Sequence, residues 1–118
     1  MKASLYGRAI PHTPMIAYAL AVDDAEAQAI LTETLRSLRA LPHDGLAARY
    51  LGSVEAFEVT GASGATYQVE VEAFWDHPRR PGGDLRVVAA IDDGRGWRSL
   101  APLTDSFIIA PGGAFVGE

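Results

Sequence analysis

The sequence predicts an α+β domain, in which one principal helix packs on a mainly antiparallel sheet of five or six strands. Three observations predict this fold. Apolar residues three or four positions apart over 24–41 indicate one long amphipathic helix. The segments over 50–118 alternate apolar and polar residues, which is typical of strands. Short connections rich in glycine and aspartate join these segments, and they favour the hairpins of a meander.

The length and composition are those of one globular domain spanning residues 1–118. Hydrophobic residues make up 48% of the chain and charged residues 21%, which is enough to bury a core. The sequence has no cysteine, which excludes disulfides and favours a reducing, cytoplasmic location. A net charge of −5 disfavours nucleic acid as a partner, and no apolar run approaches the ~20 residues that span a membrane.

The N-terminal residues predict an extended arm over 1–14 and a strand over 15–22. The arm has a glycine and two prolines in GRAIPHTP, and MIAYALAV alternates with a period of two. A rival interpretation makes Thr13 an N-cap and Pro14 the first helical residue. We prefer the strand because VDDAEAQ offers a better helix start. The same segment resembles a signal-peptide cleavage site, but its apolar run is short, so we expect it to be retained.

The principal helix is predicted over 24–41. Asp23 is expected to cap it, and Glu26, three residues later, completes a pattern like a capping box. Pro42 ends the helix, and the tetrapeptide PHDG is expected to turn the chain. The apolar stripe of this helix consists of Ala27, Ile30, Leu31, Leu35, Leu38 and Leu41.

The strands TYQVEVEAFW and DLRVVAAID are expected to pair with Trp75 opposite Leu85. A slip of one residue would expose the whole core face, so the alternation fixes the register. On the other face this register sets Phe74 opposite Arg86, a plausible cation–π pair. Further strands are expected within SVEAFEVT, WRSLAPL and SFIIA.

In the preceding hairpin we favour a register with Thr60 opposite Thr66. The alternative register sets Glu55 against Glu70, a like-charge pair that is unfavourable across strands. The favoured register turns Glu55 toward the core face at the start of its strand. That carboxylate therefore needs either solvent or a basic partner.

The loop over 76–84 is the candidate site for a small ligand. Its histidine has the chemistry of a general base, which Asp76 or Asp84 would orient, and its two arginines suit a phosphate or carboxylate. The same residues also meet the needs of a connection, because aspartate, proline and glycine favour turns. The candidate ligand-binding residues are Trp75, His77, Arg79 and Arg80.

Other patterns associated with chemistry are missing from the sequence. The three histidines form no closely spaced pair, so no metal site is predicted. There is no GxSxG elbow and no phosphate-binding loop with a lysine, so we predict no catalytic residue and no cofactor. The run IDDGRGW lacks the alternating acids of a calcium loop and is better explained as a hairpin turn.

Apolar residues on the second sheet face give the strongest functional signal. A half-exposed sheet is normally polar on its outer side, and an open apolar area is typical of a partner site. We therefore expect a non-enzymatic interaction module that forms a homo-oligomer or binds a protein partner. The alternative is a binder or enzyme for an anionic small molecule that acts through the loop over 76–84. The expected interface consists of Phe74, Arg86, Val88, Ala90 and Leu100.

Overall fold

A computed structural model of the chain describes residues 13–92 and 102–118, with the side chains of the first helix described from residue 25 onward. The strands form an antiparallel meander in the order β1-β2-β3-β4. The α+β class is therefore confirmed. The described residues hold four strands and two helices, where five or six strands and one principal helix were predicted. The elements are α1 (Thr13–Arg39), α2 (His43–Tyr50), β1 (Glu55–Thr60), β2 (Thr66–Trp75), β3 (Leu85–Asp92) and β4 (Leu103–Ile109).

The first helix is much longer than predicted. It begins at Thr13, so the prediction of a strand over 15–22 is wrong, and residues 13 and 14 of the predicted arm are helical. The rest of the predicted arm lies outside the described residues. The rival interpretation, with Pro14 in the first helical turn, is correct. Alanine, the strongest helix former, occupies positions 17, 19 and 21 of this segment, so its alternation is also compatible with a helix. Proline is tolerated in the first turn because its missing N–H would have no partner there.

Glu26 lies in the middle of α1, so its predicted part in a capping box is wrong. Its carboxylate instead accepts hydrogen bonds from the Ser63 hydroxyl (2.6 Å), the Ser63 N–H (2.9 Å) and the Tyr67 hydroxyl (2.8 Å). A Cβ at Gly61 would lie 2.5 Å from the Glu26 side chain, so a larger residue there would displace this carboxylate. Glu26 thus ties the helix to the turn between β1 and β2.

The predicted turn PHDG instead opens the second helix, α2. Pro42 occupies its N-cap position and Asp44 its first turn, where a negative charge suits the helix dipole. His43, Leu46 and Tyr50 are buried, and their spacing of three and four residues puts them on one face. The prediction that the sheet region starts at residue 50 is therefore wrong, because residue 50 ends α2 and β1 starts at residue 55.

The predicted registers are confirmed. Trp75 lies opposite Leu85, and Thr60 lies opposite Thr66. Glu55 does turn to the helix side of the sheet, and its carboxylate pairs with Arg49 of α2 at 2.6 and 3.1 Å. The basic partner that the register demanded therefore comes from the helix that the sequence did not predict.

The core lies between one face of the sheet and the two helices, and we call this the covered face. The helix α1 packs over β3 and β4, and α2 packs over β2 and β3. The strand β1 lies at the side of the sheet away from α1. The buried apolar residues are Ala27, Leu31, Leu35, Leu38, Leu46, Tyr50, Tyr67, Val69, Val71, Ala73, Leu85, Val87, Ala89, Ile91, Phe107 and Ile109.

The C-terminal segment packs against β4. Phe115 forms a bridge with Ile109, and its ring meets that of Phe107 edge-on at 5.7 Å. The Arg39 guanidinium lies 4.9 Å from the centre of the Phe107 ring and 4.6 Å from that of the Phe115 ring. It also donates to the Glu118 carboxylate. Cation–π contacts and a charged hydrogen bond therefore fix this segment to the end of α1.

Candidate functional site

Two successive turns build the loop between β2 and β3. The Asp76 N–H donates to the Asp84 carbonyl (2.8 Å), which continues the ladder by one pair. The Arg80 N–H then donates to the His77 carbonyl (2.8 Å), and the Gly83 N–H donates to the Arg80 carbonyl (3.0 Å). The backbone of this loop is therefore ordered by its own hydrogen bonds, as a connection requires.

Three of the four predicted ligand-binding residues lie together at the exposed tip of this loop. The Arg79 and Arg80 side chains are exposed and make no hydrogen bond or ion pair within the described residues. The exposed His77 ring has its Nε2 atom 3.7 Å from the Asp76 carboxylate. The tip therefore carries three exposed basic side chains.

Trp75, the fourth predicted residue, points to the covered face. Its ring stacks against that of His43 at 6.0 Å between centroids and 29° between planes. The structure therefore separates Trp75 from the three residues at the tip.

His43 is a buried polar residue that no sequence pattern singles out. It is 4% exposed, with Nε2 2.7 Å from the Gly83 carbonyl oxygen and Nδ1 3.0 Å from the Asp44 carboxylate. Both partners are acceptors, so the ring that satisfies both is protonated on both nitrogens. Burial lowers the pKa of His43, but these hydrogen bonds and the charges of Asp44 and Asp84 raise it above its ordinary value. His43 thus fixes the loop to the start of α2.

The second sheet face, which we call the open face, carries the predicted interface residues. Phe74 is 44% exposed, and Val88 and Ala90 are half-buried. The Arg86 guanidinium donates to the Asp76 carboxylate (3.0 Å) and to the Ser106 hydroxyl (3.2 Å), so it is held in place beside Phe74.

Leu100, the fifth predicted interface residue, lies outside the described residues. The strand β4 adds Ile108 to the open face, since Ile108 lies opposite Arg86 and is half-buried. The sequence did not identify Ile108 because the pairing of this last strand was not assigned.

Charge is unevenly distributed along the open face. Arg86 lies in the row nearest the loop, and Arg79 and Arg80 project from the same end of the sheet. The carboxylates of Glu58 and Glu70 lie toward the other end, on β1 and β2. The end of the face nearest the loop therefore carries basic groups together with Phe74 and Ile108, and the carboxylates of Glu72, Glu70 and Glu58 follow toward the other end.

A groove of about 600 Å³ opens on the covered face, between α1 and β1. It exists because α1 packs over β3 and β4 and leaves the β1 side without a helix. Phe57, on its rim, is 39% exposed. The sequence predicted one helix over this face but not its position, so it did not predict the groove. The groove is lined by Ile30, Glu33, Thr34, Ser37, Leu38, Arg49, Tyr50, Glu55, Phe57, Val59 and Val71.

Two features are absent from the described residues. Within 13–92 and 102–118, no three histidine, aspartate or glutamate side chains are grouped so that they could hold a metal ion. In the same part of the chain, no helix is long and apolar enough to cross a membrane.

Comparisons with protein-family models, with curated proteins and with solved structures find no match for this chain. Its function must therefore be argued from the open face, the loop and the groove.

Proposed function

We propose that this chain is a non-enzymatic interaction module that pairs with a second copy through the open face. The observation that carries the proposal is the exposed ring of Phe74, which shares a row with Arg86 and Ile108 on the side of the sheet opposite the core. Removing apolar surface from water is favourable by about 25 cal/mol per Å². Exposed apolar side chains among charged ones are typical of a partner site.

The charge distribution favours a second copy as the partner. A twofold axis that runs across the strands would bring the basic end of one copy over the acidic end of the other. Arg79 and Arg80 would then approach Glu58 and Glu70 of the second copy. Val88 and Ala90 of both copies would lie near the centre, and each Phe74 ring would pack toward one end of the interface. Such complementarity orients the two copies and speeds their encounter. The cytoplasmic location is part of this proposal, because it is based on the absence of cysteine.

The experiment is sedimentation velocity on the wild type and on Phe74→Glu across the micromolar range. We expect the wild type to sediment as a dimer and Phe74→Glu as a folded monomer, because the substitution would bury two unpaired carboxylates in the interface. Phe57→Glu is the matched control, since Phe57 is similarly exposed but lies on the covered face. A wild type that stays monomeric, or a dimer that Phe74→Glu leaves intact, would contradict the proposal.

A second candidate function is the binding of a small anion at the loop tip. The observation that favours it is the pair of exposed guanidinium groups of Arg79 and Arg80, which make no bond within the described residues. We expect Arg79→Ala combined with Arg80→Ala to abolish the binding of inorganic phosphate, followed by calorimetry, while the melting temperature changes little. Equal binding by the wild type and the double variant would exclude this function.

A further inference from the structure

The outer edge of β1 presents backbone groups that no strand pairs within the described residues. The Gly61 N–H donates to the Ala65 carbonyl at 2.8 Å, which extends the β1–β2 ladder beyond Thr60. Hydrogen-bonded pairs alternate along an antiparallel ladder, so every second residue back from Gly61 faces β2. The residues between them direct their N–H and C=O groups away from the sheet. These outward residues are Ala56, Glu58 and Thr60.

The opposite edge of the sheet, on β4, is partly closed. The Val116 N–H donates to the Ile108 carbonyl at 2.9 Å, and Phe115 forms a bridge with Ile109. The Ser106 N–H donates to the Asp105 carboxylate at 2.8 Å. A strand approaching β4 would have to displace these groups, whereas none of the described residues pairs with the outer edge of β1. Among the described strands, the edge available for pairing is therefore that of β1.

The groove lies on the covered face beside this open edge. Phe57 and Val59 belong to β1 and line the groove, with Ile30 of α1 on its other wall. Side chains of a strand point alternately to the two faces, so a strand added to β1 would direct every second side chain toward the groove. The apolar walls of the groove favour apolar side chains at these positions.

The other side chains of an added strand would lie on the open face, beside carboxylates. Glu58 of β1 and Glu70 of β2 are both exposed there, and Glu58 accepts a hydrogen bond from Gln68 at 3.3 Å. Basic side chains in the added strand would be attracted to this acidic end of the sheet.

We propose that β1 accepts a fifth strand from a partner protein, supplied by an extended peptide segment in which apolar and basic residues alternate. Main-chain hydrogen bonds to the outward residues of β1 would supply affinity, and the groove and the carboxylates would supply specificity. A second copy fits this edge less well. Pairing all three outward residues with those of a second β1 would set Glu58 directly opposite Glu58 of that copy.

The ligand side of the proposal is tested with labelled peptides and the full chain. The probe is a fluorescein-labelled peptide of about nine residues in which valine and lysine alternate. One control is a peptide in which valine and glutamate alternate. The other is the valine–lysine peptide with every second backbone amide N-methylated, so that one edge of the extended strand cannot donate hydrogen bonds. By fluorescence anisotropy, we expect the lysine peptide to bind at least about tenfold more tightly than either control. Equal binding of the lysine and glutamate peptides, or full binding of the N-methylated peptide, would overturn the proposal.

The protein side is tested with Ala56→Pro, which removes an outward N–H that β2 does not use. Proline is tolerated at such edge positions, so we expect the fold to remain and peptide binding to be lost. Phe57→Ala should weaken binding about tenfold, because it removes an apolar wall of the groove. Phe74→Ala, on the open face, should leave it unchanged.

Undiminished binding by a folded Ala56→Pro variant would overturn the proposal. A loss of binding in Phe74→Ala that Phe57→Ala does not show would do the same. If Ala56→Pro converts a dimer into a monomer, the edge belongs to a second copy and the proposal is wrong. If Ala56→Pro does not fold, the N-methylated peptide decides the question, because it removes the same hydrogen bonds from the ligand side.

Discussion

Phe57 and Phe74 lie on adjacent strands and are similarly exposed, at 39% and 44%, but they point to opposite faces of the sheet. Phe57 borders the covered face at the place where the helices stop, whereas Phe74 lies in the row of the open face nearest the loop. The covered face is a packed core that ends at β1, whereas no described helix packs on the open face. Two phenylalanines of similar exposure therefore differ in their surroundings: Phe57 lies at the edge of a core, and Phe74 lies among charged side chains.

The largest expected loss of stability comes from a substitution in the core beneath the covered face. Leu31 of α1 is fully buried in the core, so Leu31→Ala should lower the free energy of unfolding by about 3 kcal/mol. Phe74→Ala is the matched substitution on the open face, and in the monomer it should cost less than about 1 kcal/mol. Urea unfolding at low protein concentration measures both values. Equal losses for the two variants would mean that the open face is also part of the core.

The next effect concerns the end of the covered face, where Glu26 holds the turn between β1 and β2. Burial raises the pKa of Glu26, but the hydrogen bonds from Ser63, Tyr67 and Ala62 outweigh it and hold the pKa below its ordinary value. Glu26→Gln should therefore cost about 1–2 kcal/mol at neutral pH.

Because the pKa of Glu26 is lowered, the stability difference between the wild type and Glu26→Gln depends on pH. The advantage of the wild type over Glu26→Gln should be complete above the ordinary pKa of a glutamate and should disappear as the pH falls through the lowered value. Glu33→Gln is the control, because Glu33 forms only an exposed ion pair with Arg36 on the same helix. Denaturant unfolding across the acid range measures both variants. A constant difference between wild type and Glu26→Gln down to low pH would contradict the assigned role.

The smallest expected effect concerns His43, which joins α2 to the loop. The pKa of His43 is raised in the folded chain, so its stabilisation should be present at pH values below the ordinary pKa of a histidine. It should be lost as the pH rises through the raised value. His43→Gln should therefore cost about 1 kcal/mol in mildly acidic solution and less in alkaline solution.

The exposed His77 is the matched control for this prediction. His77→Gln should change the melting temperature little, because its ring is exposed at the loop tip. If His43→Gln lowers the melting temperature no more than His77→Gln does in mildly acidic solution, the His43 contact with Gly83 does not stabilise the loop.

The sheet was largely predictable from the sequence and the helices less so. Period-two alternation and short turns allow one register that buries the apolar faces, and Trp75 therefore lies opposite Leu85 as expected. The segment over 15–22 has alanine at positions 17, 19 and 21, and its alternation suits a strand and a helix equally. A helix starting at Pro14 was the interpretation that was not preferred. Pro42 was interpreted only as the end of one helix, whereas it also precedes the start of the next.

The candidate sites were predictable only where they depend on strand alternation. Phe74 and Val88 were assigned to the open face from parity alone, and the structure places them there. The contact of His43 with Gly83 joins residues far apart in the chain, and no local pattern indicates it. The groove depends on where α1 lies across the sheet, which periodicity does not specify.

One sedimentation velocity experiment tests both the pairing through the open face and the binding of a peptide at β1. The wild type, Phe74→Glu and Phe57→Glu are each mixed with the labelled valine–lysine peptide. Mass and bound fluorescence are measured in the same run. We expect Phe74→Glu to be a monomer that binds the peptide and Phe57→Glu to be a dimer that does not. If one variant loses both properties and the other keeps both, the two faces of the sheet do not have separate roles.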